Sequence, residues 1–534
     1  MDMPSQNDSP VRGTKRKYAG DGSEMRDSGN ELATIADPTI SSPTVTPDTH
    51  LVPVPLVPRN DDYFKTLYTK ETDFRLLGER DPEFKAVLRH GSSLDFTDPA
   101  SVMQLTKTLL KLDFGLRVDL PADRLCPPVP NRHNYILWLK DLLDSSAPSY
   151  RGAYEPGRGV VGLDVGTGAS LVYPLLGCAQ RPAWSFVATD VDARSLAYAR
   201  RNAAINGVQS RVRIVGPRDA AATDPLVPLD ELGLDSIDFV MTNPPFYASA
   251  AELADLARQK ARPPSGACTG APVEMVYADG GEVGFVRRLV DESLVLRERV
   301  QWYTAMLGKQ SSLDVLIADL RGRGGVTNYA VTAFVQGSRT RRWAVGWSFG
   351  ARRPGASASR GCEPPGGKKL LPPSTEATVA TWPVEEEAVD SSSSSSTERL
   401  GRAVCEAVAT LDLVSWSWDR TRSRGLGFAD GNVWSRAYRR KKARGVHPIT
   451  TTSGDGDKDN PASSPGQKQQ QQQQQRCEQC AFGFSVEVRT SKDPGETGKE
   501  DNVVAVVVVR WLQGNDHVLF ESFAGFLRNS LRLP

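Results

Sequence analysis

Three short stretches hold residue types suited to chemistry rather than to packing. The first is "VMTNPPFYA", residues 240–248, where an apolar run from Ile237 to Met241 reads as a buried strand and stops at Asn243-Pro244-Pro245-Phe246. Two prolines end any ladder, because they lack N–H donors and fix φ, and each pushes its predecessor towards an extended backbone. Such a stretch is either a stiff turn with aromatics beneath it or a rigid polar platform. The second is "GLDVGTGAS", residues 162–170, a strand followed by a glycine loop that opens a helix. Gly166 and Gly168 allow a tight turn and close approach of a ligand, with loop N–H groups and the helix start facing it. Ser170 and Leu171 stand where a dinucleotide fingerprint would continue, which weakens a pyrophosphate reading. The third is "VATDVD", in which Asp190 falls at the end of the next strand, about 20 residues on, where an acid can accept hydrogen bonds from both hydroxyls of a ribose. Asp190 serves either that role or a helix N-cap; Asp192 is the better cap candidate and leaves Asp190 for a ligand.

These groups need a scaffold that brings strand ends together. From Gly159 the chain alternates short apolar strands with helices: "GVVGLDVG", "SLVYPLLGCAQ", "WSFVATDVD", "ARSLAYARRNAAING", "VRIVG" and "SIDFVMTNPPF". After an insert come "GEVGFVRRLVDESLVLRE", "WYTAMLG", "SLDVLIADLRGRG", "NYAVTAFVQGS" and "RRWAVGWSFG". Such alternation predicts an α/β fold with a mainly parallel sheet covered on both faces. In an open parallel sheet ligands bind beyond the carboxyl ends of the strands, so the glycine loop, Asp190 and Asn243 are expected to converge. A glycine loop without a phosphate-binding lysine, beside a ribose-binding acid, suits S-adenosylmethionine better than a nucleoside triphosphate.

The 534 residues allow roughly two to four domains. The net charge of +1 excludes a general polycation, so any nucleic-acid surface is built from local clusters. Seven scattered cysteines argue for a reducing compartment, and the absence of a long apolar run argues for a soluble, intracellular chain. Residues 1–55 are too polar to fold and contain "TKRKY", a candidate nuclear-import run. Residues 56–130 read as a helical module: "DDYFKTLYTKETDF" and "DPASVMQLTKTLLKLDFGL", the latter with Asp98-Pro99 as its start signal. Residues 351–400 read as a disordered linker. Residues 401–534 read as a small α+β accessory domain with a disordered, glutamine-rich insertion at about 445–476.

Residues 59–350 resemble the methyltransferase-like 16 family of RNA adenine-N6 methyltransferases, class I enzymes that use S-adenosylmethionine. The resemblance rests on "PVPNRHNYILWL", "GLDVGTGASLVYPLLG", "NPPFYA", "ADGGEVGFVRR", "WYTAMLGKQSSL" and "RRWAVGWSF", in that order. It implies a Rossmann-like domain over 131–350, U6 small nuclear RNA as substrate and the nucleus as location. It also implies a chemical role for Asn-Pro-Pro-Phe. The adenine amine is a poor nucleophile because its lone pair is delocalised into the ring. The Asn243 side-chain oxygen and the Pro244 carbonyl would each accept one N6 hydrogen and turn that lone pair towards the methyl group. Pro245 would stiffen the turn, and Phe246 would offer a stacking face to a flipped base.

By the same resemblance Arg132 would reach the methionine carboxylate, although a surface helix cap is its alternative, and Ser170 joins the cofactor site with Gly166, Gly168, Asp190 and Asn243. Candidate RNA contacts are Lys260 and Arg262 in "RQKARPP", Lys309, Arg339 and Arg342 in "GSRTRRW", and Arg59 and Lys65 in the helical module; each is otherwise an ordinary solvated charge. Cys477-Glu-Gln-Cys480 has metal-ligand spacing but no second pair, so no metal is expected. "RRKKAR", residues 439–444, is an import signal or a nucleic-acid patch. Ribosomal RNA or a protein glutamine is the alternative substrate. A non-catalytic RNA-binding scaffold is the alternative of a different class.

Overall fold

The computed structural model describes residues 59–218, 224–259, 271–323, 325–336, 340–362, 370–384, 396–444, 476–492 and 503–531. The chain divides into Met1–Leu56 and a compact unit, Val57–Pro534, and the described residues all lie in the second. The candidate import run "TKRKY", the RNA-contact candidates Lys260, Arg262 and Arg339, and nearly all of the glutamine-rich insertion lie outside the described residues.

Eight strands form the central sheet: β1 Val160–Val165, β2 Trp184–Thr189, β3 Val212–Ile214, β4 Ile237–Thr242, β5 Val300–Leu307, β6 Asn328–Gln336, β7 Thr340–Ser348 and β8 Arg360–Gly361. Their spatial order is β8-β6-β7-β5-β4-β1-β2-β3. The ladders β3-β2-β1-β4-β5 are parallel, with Leu163 beside Val187 on one flank and Val240 on the other. β7 enters antiparallel between β5 and β6. Chain order reverses between β1 and β4, the switch point where ligands bind in doubly wound sheets. This is the mainly parallel arrangement that the strand–helix alternation predicts, and the Rossmann-like one that the family resemblance implies.

The central strands bury both faces. In β1 and β4 every residue but one is buried, which explains their unbroken apolar runs. Helices α1 Asp61–Thr66, α2 Phe74–Arg80, α3 Pro82–Val87, α4 Pro99–Leu109, α5 Val129–Ser145, α6 Val172–Gln180 and α7 Ala193–Ile205 precede or thread the first strands. Asp98 caps α4 by accepting from the Ala100 and Ser101 amides, and Pro99 occupies the first turn. Asp192 caps α7 likewise. Gly207, at φ +64°, lies just beyond that helix and stops it.

Two sequence expectations need correction. The helical stretch 56–130 shares one core with the sheet, since Phe64, Phe84 and Phe114 pack in the same cluster as Tyr135, Leu175 and Trp184. Its first helix is only six residues long, because Leu67 turns extended and Tyr68 adopts φ +60°. An ion network with two buried cations fastens it: the partly buried Asp61 receives Lys140 at 2.8 Å and Arg181 at 2.5 Å. Likewise, 351–400 is not a linker throughout. Residues 360–361 add β8 to the central sheet, and β9 Glu376–Pro383 belongs to the C-terminal sheet. Glycine and proline content masked these pieces, whose pairing partners are more than a hundred residues distant in β13 or some thirty residues back in β6.

The C-terminal sheet is antiparallel, in the order β9-β13-β12-β11-β10, with β10 Ser415–Asp419, β11 Arg424–Ala429, β12 Phe482–Lys492 and β13 Val503–Gln513. The helices Ser396–Ala409 and His517–Ser530 share its core. This α+β unit thus begins at β9 rather than at residue 401. It docks at the amino ends of the parallel strands, away from the switch point. Arg353, 2% exposed, donates to Gly514 O at 2.7 Å and Asn515 Oδ1 at 3.1 Å, and lies 4.2 Å from the Trp511 ring centre. Arg424 Nη1 donates to Arg151 O at 2.7 Å, and Tyr150 Oη bonds Gln513. Among the described residues no helix is long and apolar enough to cross a membrane.

Candidate active site

Beyond the carboxyl ends of β1, β2 and β4 lies a cavity of about 170 Å³. Six residues expected from sequence to hold a cofactor, Arg132, Gly166, Gly168, Ser170, Asp190 and Asn243, all line it. They come from the first turn of α5, the β1–α6 loop and the ends of β2 and β4.

The glycine loop is shaped by its own backbone. Gly166 at φ +77° and Gly168 at φ +65° adopt the left-handed conformation that a side chain disfavours, while the space above both is open. The Gly166 and Thr167 amides each donate to Thr189 O at 3.0 Å, tying the loop to β2. Asp190 accepts from the Gly168 amide at 2.8 Å and the Asp192 amide at 2.9 Å, one bond per carboxylate oxygen. Each oxygen keeps a second lone pair for a hydroxyl donor. Burial raises the Asp190 pKa, and the two backbone bonds work against that rise.

Arg132 is not a surface cap. It is 6% exposed, donates to Tyr173 Oη at 2.9 Å and lies 3.2 Å from Met306 Sδ. It places a positive charge on the cavity wall. Sequence reasoning passed over Asp164, a carboxylate in the apolar strand "VVGLDV". It is fully buried, Oδ2 accepts from Thr167 Oγ1 at 2.7 Å and Oδ1 has no partner. Burial pushes its pKa up to about 7, the Asp190 charge adds to that, and Thr167 and Arg132 oppose it. An acid inside an otherwise apolar strand was the available signal. Glu274, which lines the cavity as Asp164 does not, had none: it accepts from the Leu125 amide at 3.0 Å and the Ala271 amide at 2.9 Å, a pairing set by the fold.

The Asn-Pro-Pro-Phe segment follows β4. Thr242 Oγ1 donates to Val165 O at 2.9 Å, which locks the ends of β4 and β1 together. Asn243 Oδ1 is buried, on a residue lining the cavity, and no hydrogen-bond partner satisfies it. A buried acceptor without a donor costs about 1–3 kcal/mol, so this atom is set up for a donor that the chain does not supply. Pro245 lines the same cavity. Downstream, the Tyr247 amide donates to Met275 O at 3.0 Å and the Tyr277 amide to Tyr247 O at 2.9 Å, so the turn is clamped by backbone.

The described RNA-contact candidates are dispersed. Arg342 lies 5.7 Å above the Phe246 ring centre, and burial lowers its pKa. It sits against the turn that follows β4. Lys309 is exposed and pairs with Glu252 at 3.2 Å. Arg59 donates to Leu112 O at 3.0 Å, and Lys65 is exposed on the last turn of α1. Cys477 and Cys480 are buried around Gln513, whose amide donates to both their carbonyls. No cluster of three or more metal-ligating side chains occurs among the described residues.

A family model described as RNA methyltransferase matches residues 54–351. The chain is 41% identical over 290 residues to the mouse RNA N(6)-adenosine-methyltransferase METTL16, covering 52% of this chain and 50% of that protein. It is 41% identical over 261 residues to the Schizosaccharomyces pombe U6 small nuclear RNA (adenine-(43)-N(6))-methyltransferase, covering 49% of this chain and 63% of the relative. The chain spans about half the length of the METTL16 relatives it matches. Among solved structures it is similar to the hMettl16 catalytic domain in complex with MAT2A 3'UTR hairpin 1, at 39% identity and TM-score 0.45 over 52% of this chain and 92% of that one. It is also similar to the N-terminal domain of human METTL16 in complex with SAH, at 38% identity and TM-score 0.42 over 52% of this chain and 95% of that one. With more than half of its length matched by the family model, this chain belongs to the RNA methyltransferase family.

Proposed function

We propose that the chain is an S-adenosylmethionine-dependent RNA adenine-N6 methyltransferase, acting in the nucleus on U6 small nuclear RNA. The observation that carries the reading is the buried, unpartnered Asn243 Oδ1 at a cavity whose other walls suit the cofactor. Asp190 has lone pairs for ribose hydroxyls, Arg132 supplies a cation for a carboxylate, and the left-handed glycines leave room for close approach. The bound cofactor supplies an electrophilic methyl group on a sulfonium.

The chain's own residues do the rest. Asn243 Oδ1 and the Pro244 carbonyl accept the two N6 hydrogens of a flipped adenine, which points the nitrogen lone pair into the cavity. Phe246 supports the base by stacking, worth ~1–3 kcal/mol. No strong base is required, because the proton leaves after the nitrogen has become cationic. The catalytic lever is orientation. The identity to relatives named as RNA N(6)-adenosine and U6 small nuclear RNA methyltransferases supports the choice of substrate.

The test is transfer of a labelled methyl group to a U6-derived hairpin with one flippable adenine, followed by mapping of the product. N6-methyladenosine at that base is expected. Label in ribosomal RNA or in a glutamine side chain would transfer the reading to another substrate. Cofactor binding by titration without any transfer would favour a non-catalytic RNA-binding scaffold.

A further inference from the structure

The face of Phe246 is held in place by residues remote from the cavity. An ideal Cβ on Gly308 would lie 2.8 Å from the Phe246 ring and 3.3 Å from a Glu282 carboxylate oxygen, so the ring edge rests on bare backbone at the end of β5. Glu282 is 3% exposed, at the start of helix α8, Gly281–Leu296. Its carboxylate accepts from the Gly308 amide at 2.6 Å, the Lys309 amide at 3.1 Å and Ser312 Oγ at 2.6 Å. A buried carboxylate with three donors on one turn is a rigid anchor. Beside it, a Cβ on Gly281, at φ +59°, would meet the backbone of residues 246–248 at 3.1–3.2 Å. The same helix start thus abuts the catalytic turn directly and grips the strand end on which Phe246 leans. A second carboxylate closes the ring: Glu252 accepts from the Ala248 amide at 2.8 Å and pairs with Lys309 Nζ at 3.2 Å.

We propose that Glu282, acting through the Gly308–Lys309 turn, is a positioning residue that fixes the Phe246 ring against which the target base stacks. The proposal deepens the adenine-methylation reading and rests on it. It also gives Lys309 a role in bracing the turn, in place of the phosphate contact that its charge suggested. Glu282→Gln keeps the shape but turns an amide donor towards backbone donors. Gly308→Ala keeps all three donors to the carboxylate, pushes a methyl group into the ring and sets it 3.3 Å from a Glu282 oxygen.

The experiment is a double-mutant cycle on turnover with the full chain. Gly308→Ala is expected to lower kcat by roughly 10- to 100-fold, since a displacement near 1 Å in a reacting geometry costs on that order. KM for the hairpin and cofactor affinity should stay within about twofold, as neither depends on the ring edge. In a Phe246→Ala background the added methyl should cost almost nothing more, because the ring it strikes is gone. An additive loss would mean general damage and would overturn the proposal, as would an unchanged kcat. The second readout needs no RNA: the ¹⁹F resonance of 4-fluorophenylalanine at position 246, assigned by its loss in Phe246→Leu, should shift in both Glu282→Gln and Gly308→Ala. A parent without transfer activity but with these shifts would reject the substrate reading and keep the brace. An unmoved resonance would reject the brace itself.

Discussion

The central sheet and the C-terminal sheet solve opposite problems. The central sheet is parallel through β3-β2-β1-β4-β5, so its carboxyl ends emerge on one side and bring separate loops to one cavity. Polar groups at those ends are left incompletely satisfied, as Asn243 Oδ1 and Asp164 Oδ1 are. The C-terminal sheet is antiparallel throughout, which sends successive strand ends to opposite edges and collects none of them. Its interior is filled instead: Phe482, Phe484, Val507, Val509 and Phe523 are all fully buried in one cluster. One sheet spends stability on a ligand site, and the other contributes a solid body docked behind it.

The contrast can be broken at either end. The largest effect is expected in the C-terminal body, where Phe484→Ala removes a ring 4.0 Å from that of Phe523. Loss of about 3–5 kcal/mol in urea unfolding is expected, with cofactor affinity unchanged by calorimetry. A loss of cofactor binding would mean that the two sheets are one functional unit. Asn243→Ala should do the reverse: turnover falls by roughly 10²–10³, or about 3–4 kcal/mol, while RNA affinity holds and stability in urea stays level or rises. Asn243→Asp should be milder, since a carboxylate still accepts. Parental turnover in Asn243→Ala would reduce Asn-Pro-Pro-Phe to a structural turn.

Next in size, Asp190→Ala should weaken S-adenosylmethionine binding by roughly 10- to 100-fold, through lost charge-assisted bonds worth ~1.5–3 kcal/mol. Because Asp190 also holds the Gly168 amide, hydrogen exchange in residues 166–168 should quicken in the same variant. Unchanged affinity in the folded protein would remove Asp190 from the site.

A further effect is a pH slope. The Asp164 pKa is raised to about 7 in the folded chain from an ordinary value of 3.8, so the folded state holds a proton that the unfolded state releases. Its contribution is therefore present at low pH and is lost as pH rises between those values, by at most about 1.4 kcal/mol per pH unit. Urea unfolding across pH 4–7 should show Asp164→Asn less dependent on pH than the parent. Parallel curves would place the proton elsewhere.

The sequence by itself determined the strand–helix alternation, the buried runs of β1 and β4, the caps Asp98 and Asp192, and the cavity residues Gly166, Gly168, Asp190 and Asn243, whereas Arg132 and Ser170 came from the family resemblance alone. All but those two depend on local or periodic properties: donor loss at proline, left-handed glycine, apolar repeats of two or of three to four residues. Tertiary structure decided whatever required distant segments to meet. The Asp61–Lys140–Arg181 network, with both cations buried, makes the first helices part of the core, although their own periodicity suggests a separate module. β8 and β9 are strands because β6 and β13 offer them unpaired edges. Arg342 reaches Phe246, and Glu282 reaches Gly308, across gaps in sequence that no local pattern encodes. The chain spells out which residues are able to do chemistry; the long-range packing of the sheet sets which of them face one another.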